Sequence, residues 1–309
     1  MGAGAEAVSI VAALLAGVSY AVGGVLQQRA ASTRPEGEAL SFRLIVHLAR
    51  DRRWLLGIGL AFFSTVLEAL ALVFGPLVLV QPLVVSELLF ALPISVRWRS
   101  MRMSGREWFG AVAVAVGLAV GIASASPGAG RPSAPIDQWV LALLVAGGLG
   151  FLAVALGRNS AGSLRASLYA LGAGIVLATQ EALIKAIIPR FEQGFVTGLE
   201  SWETWVMAAS AIIGLLLVQS AYEAGPLAVS MPVVDAVDPA VAIVFGIVVL
   251  HESIRTGPWL FGIATGVALL LAGIVALDTS PLIHCLQRSQ STQLREPGRD
   301  ARRPDRTSA

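Results

Sequence analysis

Nine apolar stretches, near residues 7–26, 54–74, 77–96, 108–125, 139–157, 166–188, 205–224, 227–250 and 259–277, set what this chain can fold into. Each is long enough to cross a hydrocarbon core, which takes about 17–25 helical residues. Inside lipid a backbone must satisfy its own polar groups, and for segments of this length the α-helix does so. Charged residues make up only 14% of the chain and apolar residues 56%; a soluble domain carries about 25% charged residues. All seven Trp (54, 98, 108, 139, 202, 205 and 259) stand at or just beyond segment ends, where amphipathic rings favour the membrane interface. The first stretch has neither a basic leader nor a small-residue cleavage site after it, so it reads as a retained helix. The expected fold is an all-α membrane protein of about nine transmembrane helices.

A repeat runs through these helices. Gly75-Pro76 and Pro82 answer Gly225-Pro226 and Pro232 at a constant offset of 150, and Phe109-Gly110 answers Phe261-Gly262. The reading is a first repeat over 1–125, a Pro/Gly/Ser-rich linker over 126–138, a second repeat over 139–280 and a disordered Arg-rich tail over 281–309. Arg residues set the orientation. With the amino terminus outside, eighteen basic residues fall inside, and only Arg131, Arg190 and Arg255 fall outside. Equivalent helices are then five segments apart, and an odd separation inverts the second copy. Inverted-topology repeats are a common build of secondary transporters, with the solute site near mid-membrane. The segment 39–53 is too polar to span. Leu40, Leu44, Ile45 and Leu48 can share one face, which predicts an amphipathic helix on the inner surface.

The candidate site consists of acids inside the helices. Asp235 and Asp238 fall near the middle of their segment, and their i, i+3 spacing puts both on one face. Glu87 is also central, and Glu68 and Glu181 lie closer to the outer side. Each charge at a helix centre costs about 2.5–3.5 kcal/mol if it meets lipid, so these side chains must face the bundle interior, pair, or be protonated. Pro232 and Pro239 flank the aspartates and free backbone carbonyls. Carboxylates beside free carbonyls suit a hard cation or an ammonium group. Asp235, Asp238 and Glu87 are therefore the expected solute site and the metal ligands if the solute is Mg²⁺, with Glu68 in support. Glu181 and Lys185, the only Lys in the chain, form the expected gating or coupling pair at i, i+4. For each pair a purely structural role is the competing reading.

Other chemistry finds little footing. The three His are scattered, Cys285 is alone, and no phosphate loop, dinucleotide fingerprint or nucleophile elbow occurs. No enzyme activity and no cofactor are expected. Gly117-xxx-Gly121 and Gly262-xxx-Gly266 point to close helix packing.

Leu250-His251-Glu252-Ser253-Ile254 followed by Leu260-Phe261-Gly262 and Gly266 resembles the carboxyl-terminal repeat of the drug/metabolite transporter (DMT) superfamily. Leu67-Glu68-Ala69-Leu70-Ala71 and Phe74-Gly75-Pro76 through Pro82-Leu83 resemble a helix junction of its NIPA-type magnesium transporters. Residues 7–29 are similar to their first helix, which usually ends in Lys; Gln27-Gln28-Arg29 stand there in this chain. The resemblance spans about 7–280. It implies nine helices, with the second helix of the first half missing, and a permease of the bacterial inner (plasma) membrane driven by protons or potential. A small cation, Mg²⁺ or an organic amine, is the expected solute. A proton-coupled exporter of a neutral metabolite and a non-transporting scaffold or partner subunit stay open. The expected partners are the lipid bilayer and the solute, with no nucleic acid; a homodimer is left open.

Overall fold

A computed structural model describes residues 3–33, 39–74, 80, 83–84, 86–98, 102–125, 134–253 and 255–280. The described residues form eleven helices and no strand: α1 (Ala3–Ala31), α2 (Phe42–Leu48), α3 (Arg52–Phe74), α4 (Glu87–Arg97), α5 (Gly105–Ala125), α6 (Ile136–Arg158), α7 (Gly162–Gln193), α8 (Phe195–Glu200), α9 (Trp202–Ala224), α10 (Leu227–Val248) and α11 (Trp259–Asp278). Eight of them, all but α2, α4 and α8, are long and apolar enough to cross a membrane. This is the make-up of a multi-pass membrane protein. The stretch expected as one span over 77–96 appears here only in its second part, α4; most of 75–85 lies outside the described residues, including the Gly75-Pro76 turn and Pro82. So do most of the expected linker, from 126 to 133, and the tail from 281.

The helix boundaries follow local chemistry. Pro135, Pro226 and Pro258 stand immediately before α6, α10 and α11, where a missing amide N–H costs nothing. Gly194, at φ +153°, stops α7 and lets the chain turn into α8. At the start of α5, Ser104 and Glu107 form a capping box. The Ser104 amide donates to the Glu107 carboxylate at 2.6 Å, and the Ser104 hydroxyl donates to it as well.

Small residues bring the helices together. In lipid there is no hydrophobic drive between helices, so association depends on close packing and interhelical hydrogen bonds. Along α1 and α3, Ala12, Ala13 and Ala16 are buried, and Gly23 approaches the Gly57 carbonyl so closely that a Cβ there would stand 2.9 Å from it. Ser9 and Ser64 add hydroxyl donations to the Ala71 and Ala16 carbonyls, each at 2.9 Å. Between α5 and α11 the backbones touch: a Cβ on Gly266 would meet the Gly121 amide at 2.6 Å, and one on Gly117 the Gly266 carbonyl at 2.7 Å. Both glycine motifs named from sequence lie at this crossing.

Two further packing relations position the site. Helix α1 rests on α3 and α4, while α7 rests on α9 and α10. The segment expected as an amphipathic helix forms α2 and turns part of its apolar side into the protein. Leu44 and Leu48 of α2 are fully buried, Phe42 and Val46 are exposed, and α2 packs against α9.

Candidate functional site

Helix α10 carries the two aspartates, and prolines interrupt its backbone hydrogen bonds around them. Pro239 lacks the amide that would bond the Asp235 carbonyl, and Pro232 does the same to Ala228. Both aspartates are half-buried, yet Asp235 Oδ2 and Asp238 Oδ1 are shut off from the surface and have no hydrogen-bond partner. A buried acceptor with nothing to accept from is costly, about 1–3 kcal/mol and more when charged. A proton or a cation removes that cost.

The other acids gather beside them. Glu87, the first residue of α4, lies beside Asp235, and the two carboxyl groups act on each other. Asp238 interacts through space with Asp235 and with Glu181 of α7. Glu181 in turn feels Glu68 of α3, which also acts on Glu87. The structure thus links Asp235, Asp238, Glu87, Glu68 and Glu181 into one ladder drawn from four helices. Tyr222 of α9 is buried against Asp235 and Glu87. Tyr20 of α1 faces Glu68, Glu87 and Glu181 and shares a 2.9 Å hydrogen bond with Thr65. Neither tyrosine stood out in the sequence, because aromatic residues inside apolar helices look like ordinary packing.

Lys185 does not make its ion pair with Glu181. Its ammonium lies 3.0 Å from Glu252 Oε1, on the segment that follows α10. Helix α7 places Lys185 one turn beyond Glu181, near enough for its charge to act on that carboxylate. Glu252 belongs to the His251-Glu252-Ser253 motif and was missed as a site residue because it lies past the end of its helix.

The two ends of the ladder differ. Towards Lys185 it is open: Glu181 is exposed and the Lys185 side chain is 54% exposed. At the end where α1 stops and α3 starts, a polar network closes the bundle. The Gln219 amide donates to Gln27 at 2.7 Å, and Trp54 donates to Gln219 at 3.0 Å. Gln28 donates to the Gly225 carbonyl at 3.3 Å, and the Leu40 amide to the Ser220 hydroxyl at 2.9 Å. Gln219 and Ser220 are fully buried and Gln28 nearly so. These bonds tie α1, α3 and the segment before α2 to α9. The structure thus gives Gln27 and Gln28 partners across the bundle.

Among the described residues no group of three or more His, Cys, Asp or Glu side chains is arranged to hold a metal ion. Asp235, Asp238 and Glu87 are neighbours, but they do not converge on one coordination sphere.

An uncharacterized protein of Corynebacterium glutamicum is 30% identical to this chain over 268 residues, covering 85% of the chain and 91% of that protein. The chain belongs to the same family. The match runs across nearly the whole of both proteins. No family model and no solved structure matches the chain.

Proposed function

We propose that this chain is a DMT-type secondary transporter of the bacterial inner membrane, moving a small cation by alternating access. In this reading the amino terminus is outside and the carboxyl terminus cytoplasmic. The observation that carries it is the acid ladder: carboxylates from α3, α4, α7 and α10 meet inside the bundle, and two buried aspartate oxygens lack a donor. A scaffold has no use for unsatisfied acids at that depth.

The packing supports an inverted repeat. Helices α3 and α9 have the same length and begin 150 residues apart, as do the sequence features that define the repeat. The contacts of α1 with α3 and α4 parallel those of α7 with α9 and α10, and α5 pairs with α11. Counting the spans, equivalent helices are five apart, which inverts the second copy. On this pairing α6 has no counterpart. It would be the joining span between two four-helix units, rather than the sign of a second helix lost from the first half.

Room for motion supports the same reading. Cavities of about 230 and 210 Å³ lie beside Pro232 and Pro239 of α10, where the helix has lost backbone hydrogen bonds. The Gln219 network closes one end and the Glu181 end is open, which is the arrangement of an outward-facing carrier.

Among cations, an organic ammonium fits better than bare Mg²⁺. Among the described residues no three acidic side chains are arranged around one point, so Mg²⁺ would have to keep most of its tightly held water in the site. An ammonium needs only one or two carboxylates at a time, and a ladder offers them in succession. Purified protein in proteoliposomes should take up labelled methylammonium and short diamines, with Mg²⁺ tested separately. Amine flux that is lost in Asp238→Asn supports the reading. Mg²⁺ flux lost in that variant would restore the NIPA-type reading. Absence of flux for every cation would reject both, leaving a neutral solute or a scaffold.

A further inference from the structure

We propose that Lys185 is a tethered cation with two resting places, and that Glu252 holds it at the outer one, away from the acids that the solute needs. This deepens the transport reading and rests on it. Lys185 is the only Lys in the chain, and its charge acts on Glu181 of the ladder. Its side chain is 54% exposed and hangs on a flexible four-carbon stem.

Glu252, by contrast, is held. Its amide donates to the Gly246 carbonyl at 2.8 Å, its side chain is 9% exposed, and its carboxylate lies against the bare Cα of Gly246, where any Cβ would collide. It is in effect a hook fixed to the end of α10. The second resting place is Glu181, four residues back on α7, the favourable order for a Glu–Lys pair on a helix. An ammonium lying there would also neutralise the field of Glu68 and Asp238, which both act on Glu181 or are acted on by it.

The two positions compete with the solute in opposite ways. With Lys185 on Glu252, the ladder keeps its negative charge and can load a cation. With Lys185 on Glu181, the lysine takes the place of that cation. Because Asp235, Asp238 and the Glu252 hook all ride on α10, a shift of α10 against α7 would break the Lys185–Glu252 pair. Lys185 would then fall back on Glu181, and the emptied carrier would return with its acids neutralised by its own side chain.

The test reads local potential without any transported solute. In a Cys285→Ser background, Thr65→Cys puts a thiol at an exposed position whose native hydroxyl bonds Tyr20 beside the ladder. Its reaction rates with a trimethylammonium-ethyl and a sulfonato-ethyl methanethiosulfonate give a cation-to-anion ratio. One charge moved to about 10 Å in a water-like medium changes that ratio about fourfold. Glu252→Gln should lower the ratio about fourfold, since the released lysine moves in. Lys185→Gln should raise it, and adding Glu252→Gln to Lys185→Gln should then change it much less than Glu252→Gln does alone. The proposal is overturned if Glu252→Gln acts equally in both backgrounds, for then Glu252 acts through its own charge. It is also overturned if Glu252→Gln has no effect with Lys185 present. If cation flux fails while this pattern holds, the transport reading falls and the lysine switch stands.

Discussion

Asp235 carries a carboxyl oxygen with no hydrogen-bond partner, and Pro239 has removed the helical partner of its backbone carbonyl. Asp238, one turn on, repeats the first of these. Asp235→Asn or Asp238→Asn should therefore abolish cation flux, at least tenfold, while leaving expression and elution from a sizing column unchanged. Full activity in both single variants would remove the aspartates from the site. Glu107 belongs to a different category. It is almost completely buried, accepts from Ser104 and from the Ser280 hydroxyl, and so fastens the start of α5 to the residue beyond α11. Glu107→Ala should cost about 1–2 kcal/mol and lower the thermal midpoint in detergent by a few degrees, without changing which solute is carried. The place of the aspartates within a long apolar helix could be read from the sequence. The partner of Lys185 could not, because i, i+4 spacing names only the neighbour on the same helix, and Glu252 arrives from another.

Helix α11 meets α5 along glycines, so a single methyl group decides whether the pair can form. Gly266→Ala places a Cβ 2.6 Å from a backbone amide that cannot rotate away. It should sharply reduce the yield of folded protein, read as the monodisperse fraction of a fluorescent fusion. Gly147→Ala on α6 is the control, since nothing lies within 4 Å of its added carbon. Alanine also favours a helix by about 1 kcal/mol over glycine, so that variant should be neutral or more stable. Both GxxxG motifs were legible as packing surfaces from their spacing, but spacing does not say which helices meet. The α2 segment shows what a single helix leaves open. Its apolar face was visible in the sequence, but a lipid surface and a protein surface attract the same residues, and only the fold places Leu44 and Leu48 inside.

Across the whole molecule the two ends are closed to different degrees, and the closed end depends on few bonds. Gln219→Leu would leave Gln27 Oε1 and Trp54 Nε1 without their partner. A buried unsatisfied group costs about 1–3 kcal/mol, enough to shift an open–closed equilibrium by about tenfold or more. Labelling of Ser220→Cys, in a Cys285→Ser background, by a membrane-impermeant maleimide applied at that end should rise accordingly. An unchanged rate would show that this network is not what closes the bundle. The same labelling, done from each side of sealed vesicles, tests whether that end is cytoplasmic, as the arginine distribution predicts.

The sequence by itself determined the class of this protein. Long apolar segments leave a backbone in lipid no choice but helix, and acids placed at their centres cannot remain on a lipid-facing surface. Length and composition are enough for that. Which acids become neighbours, which carboxylate takes the lysine, and which end is closed are set by how helices far apart in sequence cross. Those crossings are fixed by glycines that let backbones touch and by serine hydroxyls that bond across helices. Periodicity along one helix carries no information about its distance from another, so the Glu87–Asp235 pair, the Glu252 hook and the Gln27–Gln219–Trp54 network could come only from the tertiary structure.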